Sequence, residues 1–147
     1  MEKEFIPYNE ALELKELGFD EPCLAYHNNH EPKNNHPRGL VVSGNQDHNI
    51  ETEGDNLICS APLYQQAFRW FREKYGIKHF IADFIDDKTG IEWDYEIVII
   101  GTDLDEIGNY KPLVDYSTDD ETRKFKSYEE AELACLIKLI EIVKEKK

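Results

Sequence analysis

Three carboxylates stand at every second position of one otherwise apolar segment. Glu92, Asp94 and Glu96 alternate with large apolar side chains over residues 91–100. In a β-strand, alternate residues share a face and lie about 6.6 Å apart along it. Acidic residues near the preceding turn extend this set into an acidic ridge: Asp83, Asp86 and Asp87. Carboxylates spaced in this way can hold a metal ion or exchange protons as general acids and bases.

Three interpretations of the acidic ridge stay open. The first is the solvated outer face of a sheet, which is the commonest use of charge in a strand. The second is a polyanionic surface that imitates nucleic acid and binds the basic groove of another protein. The third is a metal-dependent hydrolase, but no histidine or lysine stands at motif spacing and the sequence has no glycine-rich phosphate loop. We therefore predict no catalytic residue, no bound metal, no cofactor and no enzymatic activity.

The charge of the chain is strongly negative and unevenly spread. The formal net charge is −14, and residues 83–121 hold 13 acidic and 2 basic residues. Phosphate binding needs a basic surface, so this charge argues against direct contact with nucleic acid or anionic membrane. It favours a partner protein with a basic surface.

A small basic cluster lies on the outer side of a predicted helix. Gln65, Arg69 and Arg72 follow one another at spacings of four and three residues. Guanidinium groups match phosphate oxygens, so this cluster could bind an anionic small ligand such as a signal nucleotide. The alternative is pairing with the excess carboxylates of the same chain.

The stretch 27–56 is rich in asparagine and contains four histidines. Imidazole is a zinc ligand, but the spacing of His27, His30, His36 and His48 matches no regular zinc motif. We interpret 27–56 as a long polar loop with a short strand at residues 40–42. The three cysteines are widely spaced and odd in number, which is typical of reduced thiols. With no apolar segment of bilayer length and no signal peptide, we expect a cytoplasmic protein without membrane contact.

Helices and a hairpin position these groups. Pro7 to Gly18 reads as a helix, and Phe19 is expected to pack back on Leu14. A central helix runs from Ser60 to Gly76 with an aromatic side. A hairpin follows, with arms at 77–85 and 91–100 and a turn at 86–90.

The last helix begins at Ser127 with a capping-box pattern. Apolar residues cover more than half of its circumference, so it needs cover on two sides. Its cover is either another helix of the same chain or a second subunit. Some of these residues have the three-and-four spacing of a helix–helix seam, and we predict a homodimer through them: Leu133, Leu136, Ile140 and Val143.

The order of elements is typical of an α+β protein. We predict a single α+β domain over residues 1–147, with two layers and helices packed on a small antiparallel sheet. The long polar loop at 27–56 and an acidic hairpin and loop at 83–121 belong to it.

Four segments carry a resemblance to known proteins: 5–8, 17–23, 61–75 and 128–135. In these segments the chain resembles a group of short uncharacterised proteins from phages and prophages of Bacteroidota. The group has no established activity, so the resemblance implies only a phage context. Together with the acidic charge, it leads us to predict an accessory protein that binds and inhibits a host protein, for example an anti-defence inhibitor. The alternatives are a sequestering binder of an anionic ligand and a metal-dependent hydrolase.

Overall fold

The structure, a computed structural model, describes residues 2–28, 39–47, 58–104, 110–116 and 124–146. Within these ranges the secondary structure consists of a short 3-10 helix, three α-helices and six strands. In chain order these are the 3-10 helix Glu2–Glu4, α1 Tyr8–Glu16, β1 Cys23–Asn28, β2 Gly39–Asp47, β3 Ile58–Ser60, α2 Tyr64–Tyr75, β4 Ile77–Asp86, β5 Gly90–Leu104, β6 Tyr110–Tyr116 and α3 Tyr128–Glu145. The strands form two antiparallel sheets, so the predicted α+β class with small antiparallel sheets is confirmed.

The chain divides into two compact units, Met1–Ala67 and Phe68–Lys147. The boundary falls inside α2. Each unit holds one sheet of three strands. The interpretation of residues 1–147 as a single domain stays a prediction.

In the first unit, β1 is the central strand of the sheet β2-β1-β3. The strand predicted at residues 40–42 is present and longer, because β2 pairs with β1 at His27–Leu40 and Tyr26–Val41. Outside residues 40–42, the interpretation of 27–56 as loop is therefore wrong for the rest of β2 and for the end of β1. Pairing satisfies the backbone hydrogen-bonding groups that a loop would leave to water. The remaining residues of this stretch, including His30, His36 and His48, lie outside the described residues.

Helix α1 ends as the sequence predicts. Gly18 adopts a positive φ of 91°, and its N–H donates to the carbonyl of Lys15 at 3.0 Å. The N–H of Phe19 donates to the carbonyl of Leu14 at 2.9 Å, which completes a Schellman motif. Phe19 and Leu14 are both buried. The stop signal thus also anchors the helix to the core of the first unit.

The second unit contains the sheet β4-β5-β6, in which β4 and β5 form the predicted hairpin. Its inner face packs against α3, since Trp93 contacts Tyr128 edge-on at 5.4 Å between ring centroids. Buried residues on that face are Ile77, Tyr95, Ile97 and Ile99. Strand β6 lies inside the segment 83–121, in the part that follows the hairpin and was predicted as an acidic loop.

Helix α3 begins at the predicted cap. The N–H of Glu130 donates to Ser127 Oγ at 3.2 Å, and Glu130 Oε2 accepts from the N–H of Lys126 at 3.0 Å. The residues of the predicted dimer seam are largely covered within a single chain, because Leu136, Ile140 and Val143 are at most 1% exposed. These three residues are covered without a second subunit, whereas Leu133 is half-buried, so a homodimer through this helix stays a prediction.

Candidate functional site

The register of β4 and β5 defines an outer face of the hairpin, opposite to α3. Directly paired residues of antiparallel strands point to the same face. Glu92 is paired with Phe84, Asp94 with Ala82, and Glu96 with Phe80. These three carboxylates therefore share one face with Ala82 and the two phenylalanines. We call these six residues and Lys78 the outer face.

The phenylalanines of the outer face are accessible to solvent. Phe80 is 55% exposed and Phe84 is 37% exposed. Each lies directly opposite a glutamate of β5. The outer face thus combines aromatic rings with carboxylates, whereas the sequence analysis predicted carboxylates alone.

The turn between the strands is held by Asp86. Its Oδ1 accepts from the backbone N–H groups of Lys88 at 2.8 Å and Thr89 at 3.1 Å. Its Oδ2 accepts from Lys124 Nζ at 3.1 Å. These bonds favour the ionised carboxyl, and they lower the pKa of Asp86 to about 2, the Lys88 N–H contributing most. Asp86 therefore acts as a structural residue of the turn as well as an acidic group.

Lys124 reaches the outer face from the segment that precedes α3. Phe125 exchanges two backbone hydrogen bonds with Trp93, both at 2.9 Å, so Lys124 is placed beside β5. Lys124 Nζ lies 3.6 Å from Glu92 Oε2 and 5.9 Å from the ring centroid of Phe84. The hydrogen bond to Asp86 is the main cause that raises the pKa of Lys124.

Glu92 does not belong to an exposed acidic surface, and its place in the predicted set is wrong. It is only 3% exposed. Its Oε1 accepts from Thr89 Oγ1, while Oε2 makes no hydrogen bond to the described residues and has Lys124 as its nearby cation. The strand alternation places Glu92 on the outer face as expected, but Lys124 and the turn cover it.

The other predicted carboxylates divide between positions. Asp83 is exposed but pairs with Trp93, so it belongs to the opposite face from Asp94 and Glu96. Asp87 is exposed in the turn. Asp94 and Glu96 are half-buried on the outer face. The structure thus does not unite the six carboxylates into one ridge.

Sequence reasoning missed Phe80, Phe84 and Lys124. The two phenylalanines could have been found, because the predicted turn at 86–90 already fixes which residues of the arms are opposite each other. Lys124 could not, since its position depends on the bridge between Phe125 and Trp93 across about 30 residues of chain.

The predicted anion-binding residues are all exposed on α2. Gln65 belongs to the first unit, and Arg69 and Arg72 belong to the second. The positive charge of Arg72 also affects the protonation of His79, whose ring stacks on Phe68 at 3.8 Å between centroids. Burial and the Arg72 charge lower the pKa of His79 to about 4. The anionic-ligand hypothesis stays a prediction.

The buried thiols and His27 are structural groups. Burial raises the pKa values of Cys23 and Cys59 to about 11, which leaves little of the nucleophilic thiolate at neutral pH. Cys135 is also free and buried, and burial raises its pKa. His27 Nε2 lies 2.7 Å from the carbonyl oxygen of Ile6, and burial lowers its pKa.

The described residues contain neither a metal-binding cluster nor a membrane-spanning helix. No group of three or more His, Cys, Asp or Glu side chains there is arranged to hold a metal ion. Among the helices of the same residues, none has the length and hydropathy needed to cross a membrane.

Comparison of the chain with protein-family models, with curated proteins and with solved structures gave no match.

Proposed function

We propose that the protein acts by binding, and that the outer face of the β4–β5 hairpin receives a basic segment of a partner protein. The observation that supports this proposal is the repeated pairing of a phenylalanine on β4 with a glutamate on β5. The pair Phe84–Glu92 already holds a cation of the chain itself, Lys124. The pair Phe80–Glu96 repeats the same arrangement on the same face, four residue pairs further along the hairpin.

The chemistry of such a pair suits arginine or lysine. A cation within about 6 Å of an aromatic ring centroid is attracted to the ring face, and the carboxylate adds a charge-assisted hydrogen bond. Arginine gains more than lysine because its planar guanidinium can stack on the ring while it donates to an acceptor. Phe80 is the more exposed of the two residues, so it is accessible to a partner.

The structure favours a basic peptide segment over a nucleic-acid-binding groove as the partner surface. A nucleic-acid mimic needs a series of exposed charges, whereas Glu92 is buried and Asp86 is bound by Lys124. The resemblance to phage proteins suggests a host protein as the source of the basic segment. Inhibition of that host protein is the activity we propose for the complex.

The proposal is tested with fluorescence anisotropy of a labelled arginine-rich nonapeptide. Glu96→Gln and Asp87→Asn remove the same charge, but only the first removes a carboxylate of the outer face. We expect Glu96→Gln to weaken binding about tenfold and Asp87→Asn to weaken it less than twofold. Phe80→Ala should weaken binding about threefold or more, because it removes a cation–π contact of about 0.5–1 kcal/mol together with apolar contact.

Equal losses for Glu96→Gln and Asp87→Asn would show that only net charge attracts the peptide, and this would refute a site on the outer face. Measurements at about 0.15 M and 0.5 M salt separate the two cases further. Screening removes attraction by distant charges, while a contact between Phe80 and a guanidinium persists.

A further inference from the structure

Strand β4 is an edge of its sheet. The order β4-β5-β6 gives it one neighbour, and the described residues contain no other strand paired with it. It has ten residues, no proline and no shift of register against β5. These are the features that native proteins usually avoid in an exposed edge, because such an edge is a template for another strand.

The backbone groups that face outward can be assigned from the Trp93–Phe125 bridge. The N–H of Trp93 donates to the carbonyl oxygen of Phe125, and the carbonyl oxygen of Trp93 accepts from the N–H of Phe125, on the side of β5 away from β4. Asp83 is opposite Trp93, so the two form a non-hydrogen-bonded pair, and the backbone groups of Asp83 point out of the sheet edge. By alternation, the odd-numbered residues of β4 offer their N–H and C=O groups to an added strand.

The side chains along this edge are also uncovered. Phe80 is 55% exposed, Phe84 is 37% exposed and Ile85 is 82% exposed. Ala82, at the middle of the strand, is exposed and small. An added strand would therefore cover apolar surface as well as pair backbone groups.

The sequence of β4 is complementary to itself in one antiparallel register. With Ala82 opposite Ala82 of the partner subunit, Lys78 faces the partner's Asp86 and Phe80 faces the partner's Phe84. In the same register Ile85 faces the partner's His79, and the odd-numbered residues form the hydrogen-bonded pairs. Opposite charges and aromatic pairs across strands are both stabilising.

Neighbouring registers are worse. A centre at Asp83 places two aspartates directly opposite each other, and like charges in that position are destabilising. A centre at Ile81 places Lys78 opposite the partner's Phe84, so the pair of Lys78 with the partner's Asp86 is lost. The carboxylate of Asp86 has about four lone-pair sites and already accepts from Lys88, Thr89 and Lys124, so one site remains for the partner's Lys78.

We propose that two copies of this chain associate through β4, antiparallel and centred on Ala82, so that their sheets join into one sheet of six strands. The proposal goes beyond the binding of a basic segment and does not depend on it. Four phenylalanines then form a stripe at the centre of the joined outer faces. The two β5 strands are separated by three strand spacings of about 4.8 Å, so their carboxylates lie about 14 Å apart, on either side of the phenylalanines.

The mass of the full chain in solution is the first test. Analytical ultracentrifugation from about 10 to 500 µM should show a mass moving from 17.2 kDa toward twice that value as concentration rises. The high concentrations are needed because a strand-to-strand interface is small. Ala82→Lys should raise the dissociation constant about tenfold or more, since it places two like charges at the centre. Val42→Lys is the matched control, at an exposed position of edge strand β2, and should leave the mass unchanged.

Oxidative cross-linking tests the register. Ala82→Cys places two thiols opposite each other in a non-hydrogen-bonded pair, within the Cα distance that a disulfide spans. We expect it to form a covalent dimer at least tenfold faster than Val42→Cys. The native cysteines are buried and contribute little.

A wild-type mass of one chain at 500 µM would overturn the proposal and would leave β4 as an edge for a strand of another protein. A dimer that survives Ala82→Lys and shows no selective cross-link at position 82 would also overturn it, because the contact would then lie elsewhere on the chain.

Discussion

His79 should make the stability of the protein depend on pH between about 7.5 and 5.0, at pH values above the ordinary pKa values of carboxyl groups. Burial and the charge of Arg72 lower its pKa to about 4, from an ordinary value of 6.5. Between these two values the unfolded chain binds a proton at this histidine and the folded chain does not. Stability is therefore fully present above pH 6.5 and is lost as the pH falls toward 4.

The size of the effect follows from the two pKa values. Lowering the pH from 7.5 to 5.0 stabilises an unfolded histidine by about 2 kcal/mol through protonation and leaves a histidine with a pKa of 4 almost unchanged. His79 is only partly buried, so solvent screening reduces this figure. We expect about 1 kcal/mol of stability to be lost through His79 over this interval.

Urea denaturation at pH 7.5 and pH 5.0, on wild type and on His79→Phe, measures this loss. The phenylalanine keeps a ring against Phe68 but cannot bind a proton. The variant should lose about 1 kcal/mol less than wild type between the two pH values. His27, whose pKa burial also lowers, is present in both proteins, so its contribution cancels. An equal loss in both proteins would refute the assignment of a depressed pKa to His79.

Two further predictions concern the core and the thiols. Leu136→Ala should lower the free energy of unfolding by about 2–5 kcal/mol, because the side chain is fully buried. Ile137→Ala is the matched control: this neighbouring residue is 39% exposed, and its loss should cost under about 1 kcal/mol. Similar losses for the two variants in urea denaturation would contradict the packing of α3. Cys23 and Cys59 should react with a thiol reagent at pH 8 about a hundredfold more slowly than in the unfolded chain, because a rise of the thiol pKa from 9.0 to about 11 reduces the thiolate fraction by that factor. Reaction at the rate of the unfolded chain would show that these thiols are not buried.

The elements with local signals were predictable from the sequence. Ser127 and Glu130 mark the start of α3, and Gly18 with Phe19 marks the end of α1. The hairpin was predictable because its turn residues stand between two segments with strand alternation. In each case the determining contacts lie within a few residues of one another.

The candidate site was predictable only in part. Alternation correctly placed Asp94 and Glu96 on one face, but it carries no information on what covers Glu92. That cover comes from Lys124, which a bridge far along the chain brings into place. The division of the strands between two sheets likewise depends on pairings between distant segments, which periodicity does not encode.

The hairpin that carries the outer face is also a part of the chain whose pairing costs little loop entropy during folding. Its outermost pair, Ile77 with Ile99, closes a loop of about 20 residues, and Asp86 preforms the turn through its bonds to two backbone N–H groups. The bridge between Phe5 and Leu63 in the first unit closes about 60 residues at once. The difference in loop-closure entropy is about 1 kcal/mol, and the hairpin can divide its own cost over successive short steps. Loop entropy alone therefore favours assembly of the outer face before the first unit closes.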